Sequence, residues 1–100
     1  MVRRAARVDD NRSEIIAALR SIGASVQDLS AVGKGCPDIA CGFQGRNVFM
    51  EVKRPKGPKG GEKGRTLTTD QVLWHARWQG QVAVVRSIDE AIQAVMGRTK

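Results

Sequence analysis

Tyrosine is absent from this sequence, and tryptophan and phenylalanine contribute two residues each. So few rings exclude the long row of stacking platforms with which many proteins follow single-stranded nucleic acid. One histidine, His75, and two cysteines, Cys36 and Cys41, exclude a zinc site of the usual spacing and a secreted disulfide framework. No apolar run is long enough for a transmembrane helix, and no signal-type hydrophobic segment follows Arg3, Arg4 and Arg7. The expectation is an intracellular protein with no membrane partner. Acids are scarce too, with ten Asp and Glu against seventeen Lys and Arg.

That imbalance leaves a net charge of +7 and a pI of about 10.3. It favours a polyanionic partner, and DNA or RNA before a membrane surface, because no long basic amphipathic helix accompanies it. The same charge also suits a non-catalytic nucleic-acid-binding module, or solubility alone. A chain of 100 residues with 41 % hydrophobic content makes a single domain, residues 1–100, with one modest core.

The pattern is richest between Pro37 and Lys53, PDIACGFQGRNVFMEVK. Ile39, Cys41 and Phe43 alternate along one strand; Val48, Met50 and Val52 alternate along the next. Gln44 to Asn47 between them supplies the Gly and Asn that hairpin loops favour. Side chains on a strand alternate faces. With Val48, Met50 and Val52 turned to the core, Glu51 and Lys53 share the other face. Asp38 is out of phase with Ile39 and points to that same side. Cys41 falls on the apolar phase and packs inward.

Two carboxylates near one point repel unless a cation sits between them. Hard oxygen donors suit Mg²⁺ or Mn²⁺. A lysine beside them can orient a water or neutralise charge on a phosphate. These parts suit metal-assisted attack of water on a phosphodiester. The bland reading is a hairpin with ordinary surface charges, since Glu-x-Lys alone is common on exposed strands.

Residues 1–8 form a basic arm. Asp9, Asp10 and Asn11 offer capping oxygens to a first helix, whose apolar stripe is Ile15, Ala18, Leu19 and Ile22, with Gly23 as its stop. Glu14 lies beside that stripe. Ala24 to Ser30 reads as a strand, and Val32 to Gly35 as a turn whose Lys34 can touch a phosphate. Residues 54–66 read as a mobile basic loop. Its Arg54, Lys56, Lys59, Lys63 and Arg65 leave directly from the hairpin and are expected on a DNA backbone.

Thr68 and Gln71 match a capping box for a helix running to about Gln79 and ending at Gly80. Trp74 and Trp78 lie four apart on one side of it. Val82 to Val85 reads as a buried strand parallel to the Glu51 strand. Ser87 and Glu90 match a second capping box. Ile88, Ala91, Ile92, Val95 and Met96 then make an amphipathic helix stopped at Gly97. The fold class is α/β, a mixed sheet of about four strands flanked by helices.

Pro37-Asp38 followed by Glu51-Val52-Lys53 resembles the signature of the PD-(D/E)xK nucleases. Gly33-Lys34-Gly35-Cys36-Pro37-Asp38 resembles the glycine-rich lead-in of their VRR-NUC branch. The segment Thr68 to Gln71 is similar to that branch's helix opening with its glutamine. The resemblance spans about Glu14 to Val85. It implies a restriction-endonuclease-like αβββαβ core and a Mg²⁺- or Mn²⁺-dependent deoxyribonuclease. Asp38, Glu51 and the Val52 carbonyl would hold the metal, and Lys53 would act on the water. Glu14 is either a solvated helix-end residue or, by the resemblance, a further metal carboxylate. Gln71 gains a site role beside its capping one. Stand-alone members of this branch, often from phages, cleave branched DNA as dimers. The resemblance therefore implies a homodimer acting on Holliday-junction-like DNA in a bacterial or phage-infected cell.

Overall fold

A computed structural model describes residues 10–55 and 66–97. They form α1 (Asp10–Ser21), β1 (Ser25–Asp28), β2 (Ile39–Phe43), β3 (Arg46–Val52), α2 (Thr69–Arg77), β4 (Val82–Val85) and α3 (Ile88–Val95). The arm 1–8 and, of the basic loop, residues 56–65 lie outside the described residues. The strands form one sheet in the order β1-β2-β3-β4. The first three run antiparallel, and β4 runs parallel to β3. The connection through α2 permits this parallel return, which a tight hairpin cannot make. This is the α/β restriction-endonuclease-like arrangement, with α3 added after the αβββαβ core.

One face of the sheet carries the core. Ile39, Cys41, Val48, Met50 and Val85 meet Ile15 and Leu19 of α1 and Ala91, Ala94 and Val95 of α3. Alternation in the strands and 3.6-residue spacing in the helices produce this meeting directly. Gly23 ends α1 with φ of +98°. Its N–H donates to the Arg20 carbonyl and that of Ala24 to Leu19, so the last turn closes in a Schellman arrangement. Among the described residues no helix is long and apolar enough to cross a membrane.

Several boundaries differ from the sequence reading. Strand β1 stops at Asp28, because the Asp28 carboxylate takes the Ser30 N–H at 2.8 Å and its hydroxyl at 2.7 Å and turns the chain. The hairpin loop has two residues, not four, since Phe43 already pairs with Arg46. Gln44 and Gly45 have φ of +52° and +81°, the double left-handed pair of a type I′ turn, whose twist matches that of the strands. Helix α2 ends at Arg77, and Trp78 caps it in extended conformation. Gly80 instead lies under the Trp78 indole, where an added Cβ would sit 3.0 Å from Nε1. In α3, Ser87 accepts from the Glu90 N–H at 3.1 Å, but Glu90 reaches back one residue further than a capping box requires, to the Arg86 N–H at 2.7 Å. Arg46 closes the far end of α3 by donating to the Val95 carbonyl at 2.7 Å.

The second face of the sheet is covered more thinly. Helix α2 lies there with no fully buried residue. It is seated by rings: Phe49 of β3 meets Trp74 and Trp78 edge-on at 5.6 and 4.8 Å, and the two indoles stack at 4.6 Å. Beside them runs an open groove of about 650 Å³ over Ser25, Gln27, Ala40 and Gly42. Asp38 and Glu51 of the hairpin are out of phase with the core residues and turn to this thinly covered face.

Candidate active site

Register brings the first two acids together. Ile39 pairs with Met50, which sets Asp38 opposite Glu51. Both are out of phase with the core residues and turn toward α2. Pro37 is buried and fixes the entry to β2. Asp38 Oδ2 accepts the Val52 N–H at 2.8 Å, so the carboxylate is anchored to the main chain of the strand it faces.

Glu51 is 1 % exposed and Lys53 9 %. Buried charges are costly, and the protein responds through their protonation. Burial foremost, then the hydrogen bond and repulsion from Asp38, push the Glu51 pKa up to about 8, while Lys53 pulls against them. Val52 between them packs against the core. The end of β3 is pinned on both sides: the Lys53 N–H donates to the Val85 carbonyl at 3.0 Å. Asn11 Nδ2 donates to the Lys53 carbonyl, also at 3.0 Å.

The sequence assigned capping to Asn11 and a possible ligand role to Glu14. The structure reaches the strand end through Asn11, and Glu14 is exposed one turn along α1. Among the described residues, no three of His, Cys, Asp and Glu gather into a metal-holding group. Glu14 is thus not brought to Asp38 and Glu51.

Gln71 combines its two expected roles in one amide. Its N–H donates to Thr68 Oγ1 at 3.2 Å, and its Oε1 accepts from the Thr68 N–H at 2.9 Å, completing the capping box. The same side chain's Nε2 donates to Glu51 Oε2 at 3.1 Å. Capping holds the amide where it can grip the carboxylate.

The sequence reading gives His75 no part in the site. His75 lies one turn beyond Gln71, and its Nε2 stands 3.9 Å from Glu51 Oε1. Neither atom is accessible, and neither has a hydrogen-bond partner among the described residues. Burial, then Lys53, lowers the His75 pKa, favouring the neutral ring. The signal available in the sequence was the i, i+4 spacing from Gln71. Cys36 is half-buried nearby; burial foremost, then the charges of Glu51 and Asp38, raise its thiol pKa and keep it protonated.

The loop before Pro37 presses against α2. Gly33, Lys34 and Gly35 all have left-handed φ, +80°, +58° and +84°. A Cβ on Gly35 would overlap the Asp70 carbonyl, so glycine there permits the approach of loop to helix. Lys34 and Arg54 are exposed and stand outside the buried cluster. Lys56, Lys59, Lys63 and Arg65 lie outside the described residues.

The cluster is therefore two facing carboxylates, a buried lysine, an amide and an imidazole. It can hold a small divalent cation and present a water to an anionic substrate. No protein-family model matches the sequence, and no curated protein matches it. A solved structure described as "VRR_NUC domain" does match: it is 22 % identical, with a TM-score of 0.67 over 95 % of this chain and 100 % of that one. A likeness at that identity and coverage speaks for architecture, and the chain has the fold of a VRR_NUC domain.

Proposed function

We propose that this chain is a VRR-NUC nuclease that hydrolyses DNA phosphodiester bonds with Mg²⁺ or Mn²⁺ held by Asp38 and Glu51. The observation that supports it most is the buried carboxylate of Glu51. It faces a second carboxylate, and its Oε1 has no hydrogen-bond partner among the described residues. A divalent cation fits such a pair, because it removes the repulsion and satisfies the orphaned oxygen. Asp38, Glu51 and the Val52 carbonyl would hold such an ion, which would supply Lewis-acid polarisation of the phosphate and lower the pKa of a bound water.

The chain's own residues do the rest. Asp38 is held in place by the Val52 N–H, and Glu51 by the Gln71 amide. Lys53, on the same strand face as Glu51, orients the water and offsets charge developing on the phosphate. Lys34, Arg54, Lys56, Lys59, Lys63 and Arg65 contact the DNA backbone. Branched DNA as substrate, a homodimer as the working form and a bacterial or phage-infected cell as the setting rest on the family resemblance. For the dimer, Trp78, Ile88 and Met96 are the exposed candidates, at 41 %, 39 % and 39 %. Trp74 and Ile92, on the same two helices, are partly buried within their own chain.

The test is incubation of linear, flapped and four-way-junction DNA with Mg²⁺, Mn²⁺ or EDTA. Cleavage with either ion and none in EDTA is expected, with the junction cut fastest. Metal-independent binding with no cleavage of any substrate would refute the proposal and leave a non-catalytic binding module.

A further inference from the structure

The sheet face that carries Asp38 and Glu51 continues beyond them as the open groove of about 650 Å³. Ala40 and Gly42 follow Asp38 at alternate positions of β2. Register sets Gln27 and Ser25 of β1 beside them on one side, and Phe49 and Asn47 of β3 on the other. At about 3.4 Å per residue, this floor runs from about 7 to about 14 Å past Asp38. It lies low because its central residues are small. The Asn47 amide fills the space over Gly42, where an added Cβ would sit 3.3 Å from Oδ1.

The lining says what the groove suits. The chain carries a net charge of +7, yet among the described residues no charged side chain lines the groove. Phosphates laid there would find no cation to neutralise them. The walls present an indole and side-chain amides instead. Trp78 stacks on Trp74, and 41 % of it remains exposed. Gln27 and Asn47 are exposed amides, each able to donate and to accept. An indole face and paired donors and acceptors match the face and the edge of a nucleobase. The volume falls in the range of about 300–1,000 Å³ of sites that take small organic ligands.

We propose that the groove binds an unpaired nucleobase of the DNA strand whose phosphodiester lies at Asp38 and Glu51. The inference rests on the nuclease reading above and adds a base-binding subsite to it. The floor's reach from Asp38 corresponds to about two to four nucleotides at the stacked rise of about 3.4 Å, and to fewer in an extended strand. Trp78 stacks on the base, and Gln27 and Asn47 meet its edge. A base in an intact duplex must first leave its stack, whereas a flap or a branch point offers one already unpaired. The subsite therefore favours DNA with unpaired bases beside the cut.

The experiment is fluorescence anisotropy of the whole chain in EDTA, with three labelled DNAs. These are an intact duplex, the same duplex with a single-stranded flap, and that flap made abasic within about four nucleotides of the branch. The abasic flap keeps every phosphate and loses only bases. The normal flap should bind roughly 5–150-fold more tightly than the abasic one, as one stacked base contributes. Trp78→Ala and Gln27→Ala should each shrink that ratio and leave duplex affinity unchanged. Circular dichroism checks each fold. Gln27 lies on the outer strand, with β2 between it and the strand that seats α2, so its variant serves if loss of Trp78 unseats the helix. Equal wild-type affinity for normal and abasic flaps would overturn the subsite. So would sedimentation in which the variants turn a dimer into a monomer while the abasic penalty stays intact, because a second copy would then cover the groove. A wild type that cuts DNA with Mg²⁺ yet ignores the missing bases would overturn the subsite alone. One that binds no DNA would overturn the nuclease reading with it.

Discussion

Replacing Glu51 with Gln should make the metal-free protein more stable, and increasingly so as pH rises. The buried Glu51 side chain has its pKa raised from 4.5 to about 8, by burial and then by Asp38. Between those values the folded chain keeps a proton that the unfolded chain has released. The stability this group contributes is complete below pH 4.5 and is lost as pH climbs toward 8. One additional bound proton gives a slope of about −1.36 kcal/mol per pH unit. Across the whole window the loss reaches at most about 5 kcal/mol, against the ~5–15 kcal/mol that holds a domain together. Asp38 shares the titration, so the change belongs to the pair and falls below that ceiling. A Gln at this position keeps an oxygen for Gln71 and an N–H toward Asp38, and cannot ionise. Urea unfolding in EDTA at pH 5, 6, 7 and 8 compares the two proteins, and subtraction removes the titrations they share. The difference should widen with pH in favour of the variant. Mn²⁺ at pH 8 should restore the wild type and leave the variant unchanged. A difference that stays flat from pH 5 to 8 would refute the reasoning, because Glu51 would then be ionised in the folded chain throughout.

Other consequences follow from individual side chains. Lys53→Ala should lose most cleavage while keeping metal binding by calorimetry, and cleavage at the wild-type rate would exclude the assigned role. Replacing Lys56, Lys59 and Lys63 with Ala should flatten log affinity against log salt by up to about 0.9 for each phosphate no longer neutralised, measured by fluorescence anisotropy. Gly35→Ala combines a left-handed φ with overlap on the Asp70 carbonyl. It should cost on the order of 1–3 kcal/mol in chemical denaturation and weaken the hold of Gln71 on Glu51. Sedimentation at micromolar concentration should show a dimer, since one copy of Asp38, Glu51 and Lys53 can cut only one strand of a junction at a time.

What was legible in the sequence was whatever depended on period. Alternation placed Ile39, Cys41, Val48 and Met50 inward and therefore Asp38, Glu51 and Lys53 outward, and the register in the structure agrees. The αβββαβ order was legible too, because each element has its own stripe or cap. Boundaries were less so. A two-residue turn at Gln44-Gly45 depends on strand twist, and the end of β1 on one carboxylate folding back onto Ser30. Neither has a periodic signature. At the start of α1 the chain had several polar residues in a row, and only the angle at which α1 crosses the sheet decides that Asn11, and not Glu14, meets β3.

Helix α2 shows most plainly why His75 was missed. Its sequence advertises an apolar side at Val72 and Leu73, yet these are 49 % and 52 % exposed. The helix is oriented by other forces: the Trp74 and Trp78 rings on Phe49, and the Gln71 amide on Glu51. With Gln71 turned to the sheet, His75 lies one turn further along the same side of the helix, and it is carried to the carboxylate without any partner in the sequence to announce it. A helix placed for stability alone would bury Val72 and Leu73 and leave the polar residues in water. Here two apolar residues are given up to solvent while an amide and an imidazole are turned onto a buried acid. Such a choice lowers stability, and a site that must hold a buried carboxyl group in place supplies the reason for it.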